Sequence, residues 1–430
     1  MSAASRIWVT LASGLTTIVL ARVLGPHDWG GYAIASSLVT ILLAVTTLGV
    51  DQGIAYFVGA REWEPRAALG SALRMAGVAG TLGAAVGLVA RVAVPSAFAG
   101  LPLWQVAVAV AGIPFGLALI YASSVTLASD RYEASMAMPA VQAALLLAVS
   151  IPLALLFDRS GAIVALTLAA AVVAVGAVVW ARSRLPAAAP TQPGQLRRAI
   201  SFGVKGYGAN ALQLVNYQLD LFILAAVASA AAVGHYALAV SATALLMVLP
   251  RSLSAVLYPR VARLSASGDH VKRAMVEAKS LRHVSLIVVL TSIAMAAGLE
   301  LLVVPVFGAD YRPAIKLGLI LVPGAAAIGV STVLAATVVG RGKPTYSLYG
   351  ALITTPITIA MYGTLIPSFH ATGAALASTL SYLLSFVLFC HFYRRVTGLH
   401  VLPLLVPTRS EFADLWGALR TVARRVAGRG

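Results

Sequence analysis

The sequence is poor in charge, poorer still in acids, and has one cysteine. Only 10% of its residues are charged, against about 25% in soluble domains. That scarcity excludes an ordinary water-soluble enzyme. Of the 430 residues 60% are hydrophobic, and the mean hydropathy is +0.91. No single core of this length buries so much apolar surface in water. The lone Cys390 excludes an intrachain disulfide and any cysteine-based metal site. Asp and Glu total 14 against 31 Lys and Arg, for a net charge of +17. The bases lie in short stretches between apolar runs, which argues against nucleic acid and for the anionic inner leaflet of a membrane. The seven histidines form no ligand-spaced cluster, and no phosphate-binding glycine loop is followed by Lys-Ser or Lys-Thr. No cofactor, metal, catalysis or ATP hydrolysis is expected. Any driving force would be an ion gradient, the membrane potential or mass action.

A spanning helix needs about 20 predominantly apolar residues. That ruler predicts an all-α membrane protein of about twelve spans, near 7–24, 31–57, 71–94, 104–127, 135–157, 161–181, 202–227, 233–257, 284–307, 315–339, 346–366 and 372–393. The joints carry breakers or charges, as at Gly25-Pro26, Asp158-Arg159 and Gly342-Lys343-Pro344. The first segment has no clear cleavage site and reads as a span rather than a signal peptide. With these spans, 25 of the 31 Lys and Arg fall on the side of the termini, 5 fall opposite, and Arg251 lies inside a span. The positive-inside rule then puts both termini in the cytoplasm.

The sequence repeats itself. At an offset of 204, Leu20 to Leu42 aligns with Leu224 to Leu246, with nine of 23 positions identical, including Gly30/Gly234, Tyr32/Tyr236 and Ser37/Ser241. Composition alone gives roughly two or three. At an offset of 212, Gly161-Ala162 matches Gly373-Ala374 and Thr167-Leu168 matches Thr379-Leu380. The extra residues are placed in the long basic loop Arg260 to Arg282. Two pseudo-symmetric six-helix lobes follow, 1–190 and 191–398, with a basic amphipathic tail over 399–430. Six is even, so the repeat is parallel, and a substrate site is expected between the lobes.

"LARVLGPHDWGGYAIA" (20–35), "LGVDQGIAYFVG" (48–59), "VGHYALAVS" (233–241), "LYPRVARLSA" (257–266), "VFGADYRPA" (306–314), "LVPGAAAIGVSTVL" (321–334) and "HATGAALASTLSYLLS" (370–385) resemble the Wzx-like polysaccharide and O-antigen flippases. These belong to the multidrug/oligosaccharidyl-lipid/polysaccharide exporter superfamily. The resemblance covers roughly 15–395. It implies a multi-pass transporter of the bacterial cytoplasmic membrane that works by alternating access. The cargo it implies is a polyprenyl-pyrophosphate-linked oligosaccharide. Alternatives are a flippase for a peptidoglycan or teichoic-acid lipid precursor, a drug or cation extruder of the same superfamily, and a membrane enzyme. The enzyme should carry a long outer loop or paired carboxylates, and neither is present. A polymerase or glycosyltransferases are the implied protein partners.

Ionisable groups inside spans are costly and point to function. Asn210, Gln213, Tyr217 and Asp220 share one face of the seventh span, with Lys205 at its mouth. They either line a polar path or bond helices together. Arg251 follows Pro250 and either grips pyrophosphate or pairs with Asp220 or Glu300. Arg22 either meets substrate or snorkels to headgroups. Asp51, Asp220 and Glu300 are the candidates for a coupling ion, Asp51 and Glu300 also being readable as caps or pair members. Tyr32 and Tyr236 are expected as interface anchors. Phe412, Leu415, Trp416, Leu419, Val422 and Val426 recur at helical spacing, with Arg420, Arg424 and Arg425 late. That tail reads as a helix on the anionic leaflet or against a partner protein.

Overall fold

A computed structural model describes the backbone of residues 3–186, 194–408, 411–413, 417 and 420. The side chains of residues 3, 4, 6, 7, 205–213, 215 and 216 lie outside the described set, as does most of the tail. The described residues are helical almost throughout. In hydrocarbon every backbone N–H and C=O needs an internal partner, and a helix supplies it locally. The helices are α1 (Ala3–Thr46), α2 (Val50–Gly59), α3 (Pro65–Ala93), α4 (Leu103–Ala111), α5 (Ile113–Ala128), α6 (Tyr132–Arg184), α7 (Gln195–Val227), α8 (Ala230–Ala244), α9 (Val248–Ala266), α10 (His270–Phe307), α11 (Arg312–Gly340), α12 (Thr345–Thr397) and α13 (Leu402–Leu405).

Among the described residues, eight segments are long and apolar enough to cross a membrane. Three of them contain a break, so each supplies two rods: α1 at Gly25, α6 at Phe157-Asp158 and α12 at His370. With the 33-residue α7, whose described apolar stretch is Tyr217–Val227, this makes twelve rods among the described residues. The expected joints at Gly25-Pro26 and Asp158-Arg159 are thus sharp breaks rather than loops. Other spans are interrupted where continuity was expected. The second stops at Thr46 and restarts as α2 after Leu48 (φ 50°) and Gly49 (φ 67°). The "loop" over 260–282 is helical except around Ser267 to Asp269, because α9 and α10 continue beyond their apolar windows.

The repeat is visible in the geometry. Asp158 (φ 50°, ψ −136°) and His370 (φ 51°, ψ −128°) are 212 residues apart and adopt the same broken conformation. The Thr167 hydroxyl donates to the Val108 carbonyl at 2.7 Å, and the Thr379 hydroxyl to the Ile320 carbonyl at 2.7 Å. Donors and acceptors are each 212 apart. A left-handed backbone at an exposed non-glycine residue carries strain. Asp158→Gly and His370→Gly should therefore each raise thermal stability in detergent by about 1 kcal/mol. Ser160→Gly, two residues on in regular helix, should lower it.

The chain folds into two compact units. The first comprises 1–238 with 304–311 and 366–371; the second comprises 239–303, 312–365 and 372–430. In the first unit α1 and α5 pack on α6, and α2 lies on α7. Glycine permits the second contact. A Cβ on Gly49 would fall 2.5 Å from the Gly203 carbonyl, and one on Gly53 would fall 2.7 Å from the Ala199 carbonyl oxygen. In the second unit Leu257, Val261, Leu281, Val284, Val333, Leu334 and Val338 form the apolar core, with Tyr393 against it. There the Thr408 hydroxyl and backbone N–H donate to the Glu411 carboxylate, hold its pKa down to about 2, and leave Arg282 3.9 Å from its other oxygen.

Candidate functional site

The helix α7 runs unbroken from Gln195 to Val227, so positions 210, 213, 217 and 220 do share a face. The side chains of Lys205, Asn210 and Gln213 lie outside the described set; Tyr217 is half-buried and Asp220 is buried. Asp220 is the best defined of them. The buried Tyr236 hydroxyl, on α8, donates to its Oδ2 at 2.5 Å, and the Leu221 N–H donates to Oδ1 at 2.8 Å. Next to it on α7, Gln218 accepts from the Ser37 hydroxyl of α1 at 2.9 Å. These bonds join helices of the first unit. Tyr32 and Tyr236 are 6% and 0% exposed, so neither anchors a headgroup interface. Both lie where α1 and α8 cross, Tyr236 with its hydroxyl on Asp220 and Tyr32 stacked 5.4 Å from Trp29.

That crossing is made by repeat partners. A Cβ on Gly30 would sit 2.0 Å from the Ala230 carbonyl oxygen, and one on Gly234 would sit 1.9 Å from the Pro26 carbonyl oxygen. Gly30 and Gly234 are related by the offset of 204, and so are Pro26 and Ala230. The contact is reciprocal, as at a two-fold axis. Each glycine lies four residues after its partner's contact point, the small-residue spacing that lets membrane helices approach closely.

The other candidates part company. Arg22 donates from Nη1 to the carbonyls of Pro305 at 2.9 Å and Val306 at 2.6 Å. These belong to the last turn of α10, whose carbonyls lack intrahelical donors, so the cation also meets the negative end of that helix. With the Tyr311 hydroxyl on the Ala21 carbonyl at 2.8 Å, it ties 304–311 to α1. Arg251 is exposed and makes no hydrogen bond or ion pair among the described residues. Its expected pairing with Glu300, in the same unit, is therefore not formed. Glu300 is exposed on α10. Asp51 heads α2, where a carboxylate suits the helix N-terminus, yet its Oδ1 is buried with no hydrogen-bond partner among the described residues.

Two charged centres were missed by the sequence reading. In the first unit Arg159 lies against Gly31, where a Cβ would meet its Cδ at 2.6 Å. Its Nε donates to Gln105 Oε1 at 3.1 Å, Gln105 Nε2 donates to the Ser160 hydroxyl at 2.8 Å, and Asp28 stands 3.4 Å from Nη1. Arg159 thus brackets α1, α4 and α6. In the second unit Glu277 is fully buried. Arg341 binds it bidentately at 2.8 and 2.5 Å, with Arg273 3.9 Å away and the Tyr393 hydroxyl at 3.4 Å. The signal for both was an acid or base at a joint between spans, in a chain with few acids to pair.

Against this geometry stand the comparisons with known proteins. The family described as "Polysaccharide biosynthesis protein" matches residues 19–316. The chain belongs to that family. No curated protein matches. Among solved structures, the polysaccharide biosynthesis chain is similar to lipid II flippase MurJ in an inward closed conformation. The TM-score is 0.76 at 9% identity, over 91% of this chain and 89% of that one. It is also similar to an inward-facing multidrug resistance MATE transporter of the MOP superfamily, with TM-score 0.71, 14% identity, and 90% and 95% covered. A Vibrio cholerae MATE transporter gives TM-score 0.64 at 14% identity, with 91% and 94% covered. These likenesses establish the fold. This member of the polysaccharide biosynthesis family shares the helical fold of these solved structures.

Proposed function

We propose that the protein is not an enzyme but a flippase, moving a polyprenyl-pyrophosphate-linked oligosaccharide across the bacterial cytoplasmic membrane by alternating access. The supporting observation is the meeting of two independent likenesses. The family is one of polysaccharide biosynthesis, and the fold is that of a lipid II flippase. The chemistry suits them. A diphosphate crossing hydrocarbon needs a cation along its route, and Arg251 is exposed with no partner among the described residues. Arginine holds a phosphate through two parallel N–H donors. Lys205 and the polar face of α7 are the proposed second contact. The buried Asp220–Tyr236 pair is the proposed place for a coupling proton or cation. The cytoplasmic orientation of both termini belongs to the same proposal.

The test is export of the polysaccharide repeat in the native host after deletion and complementation. Arg251→Ala should reduce export at least tenfold at normal protein level, and Asp220→Asn should reduce it comparably. Undiminished export by both variants rejects the assignment of these residues. A peptidoglycan precursor is the second reading, favoured by the TM-score to MurJ. It requires that depletion of the protein lyse the cells rather than strip them of polysaccharide.

A further inference from the structure

A second polar site lies in the first unit, away from the Asp220–Tyr236 pair. The turn between α2 and α3, the turn between α5 and α6, and the first residue of α7 enclose a cavity of about 560 Å³. Its lining includes Arg61, Glu62, Trp63, Glu64, Asp130 and Gln195. Three of the chain's 14 acids gather here. Trp63 is 4% exposed and Gln195 is 6% exposed. Yet Trp63 Nε1 and Gln195 Oε1 are buried with no hydrogen-bond partner among the described residues. Buried polar groups are almost always satisfied, so one donor and one acceptor beside this cavity are left unmatched among the described residues.

The walls are held in place. Trp63 stacks on Phe57 with ring centroids 4.3 Å apart. Arg198 lies 4.7 Å above Phe57 and bonds Glu62 at 2.9 Å, which pins the start of α7 to the turn. The acids do not make the site simply cationic in preference. Arg61 stands among them, and α3, α6 and α7 all begin at this cavity, bringing the positive ends of three helices. The ligand must therefore be near neutral, offer donors to carboxylates and to the Gln195 carbonyl, and offer an acceptor to the Trp63 indole. A hydroxyl does both at once, and a short row of hydroxyls does so repeatedly. The volume is that of a small-molecule site.

We propose that this cavity binds the neutral sugar moiety of the lipid-linked glycan and is the place where it is captured on the cytoplasmic side. This rests on the flippase reading and on its orientation. The experiment uses the full chain carrying Cys390→Ser and Ser129→Cys, which leaves one thiol at the cavity wall. Inverted membrane vesicles are prepared from the native host. A parallel batch comes from cells in which the transferase that loads sugar onto the polyprenyl carrier is blocked. A membrane-impermeant maleimide is the probe. Labelling should be several-fold faster in the glycan-depleted vesicles, and that ratio should fall to one in Gln195→Ala and in Trp63→Phe, which keeps the ring stack.

Equal rates in the two batches, fast or slow, overturn the proposal. Slowing of the depleted vesicles by added spermidine to the glycan-replete rate also overturns it, in favour of a cation site. Labelling in right-side-out vesicles alone overturns the assigned face. Protection without export in the complementation assay would leave the site standing and reject the flippase reading. Export without protection would reject the site alone.

Discussion

Gly234→Leu is expected to remove the folded protein from the membrane. The α1–α8 crossing brings the Pro26 carbonyl oxygen to within 1.9 Å of any Cβ at 234. A backbone atom cannot swing away as a side chain can, so the two helices must separate by more than an ångström. Separation would strip the packing that buries Leu20, Ile34, Tyr236 and Leu238, and in lipid that packing is the main force holding helices together. Overpacking alone costs about 1–3 kcal/mol, and loss of the crossing adds the lost contacts. Even Gly30→Ala should lower the melting temperature of a fluorescent fusion in detergent. Gly298→Leu is the control, because nothing lies within 4 Å of a Cβ there. Equal size-exclusion profiles for Gly234→Leu and Gly298→Leu would show that the crossing is dispensable.

The second large effect is at Glu277. Substituting leucine leaves Arg341 and Arg273 facing each other in a buried pocket, with side chains only 11% and 14% exposed. Removing one partner of a buried pair typically costs about 3–5 kcal/mol, whereas replacing the pair by apolar residues of similar size is often neutral. Glu277→Leu should therefore unfold the second unit readily, and Glu277→Leu with Arg341→Met should recover most of the loss. The pair of thermal melts separates two accounts. Recovery means the penalty is an uncompensated charge. No recovery means that the fork holding α10 to α11, with Tyr393 of α12, supplies geometry that apolar packing does not replace.

The legible parts of this protein are those where one physical quantity dominates. Apolar length and the spacing of bases gave twelve spans because a bilayer penalises every other solution. The offset of 212 was readable in Gly161-Ala162 and Thr167-Leu168. It reappears as matched breaks at Asp158 and His370 and as matched hydroxyl bonds at Thr167 and Thr379. The stripe on α7 was readable as a face, but its meaning was not. Whether a polar face lines a path or joins helices depends on what lies opposite, and periodicity is silent about that. Tyr236 was misread as an anchor because an aromatic near a span end looks alike whether it meets headgroups or a buried carboxyl.

By itself the sequence determined the solvent, the number of crossings, the duplication and the family likeness, since each depends on local composition or on self-comparison. Tertiary structure decided the partners. It put Arg22 on the carbonyls of Pro305 and Val306, Tyr236 on Asp220, and Arg341 on Glu277, and it left Arg251 without a partner among the described residues. These choices join residues 16 to 284 positions apart. Charge and hydrogen bonding act over a few ångströms, and only the packed chain says which distant groups come that close.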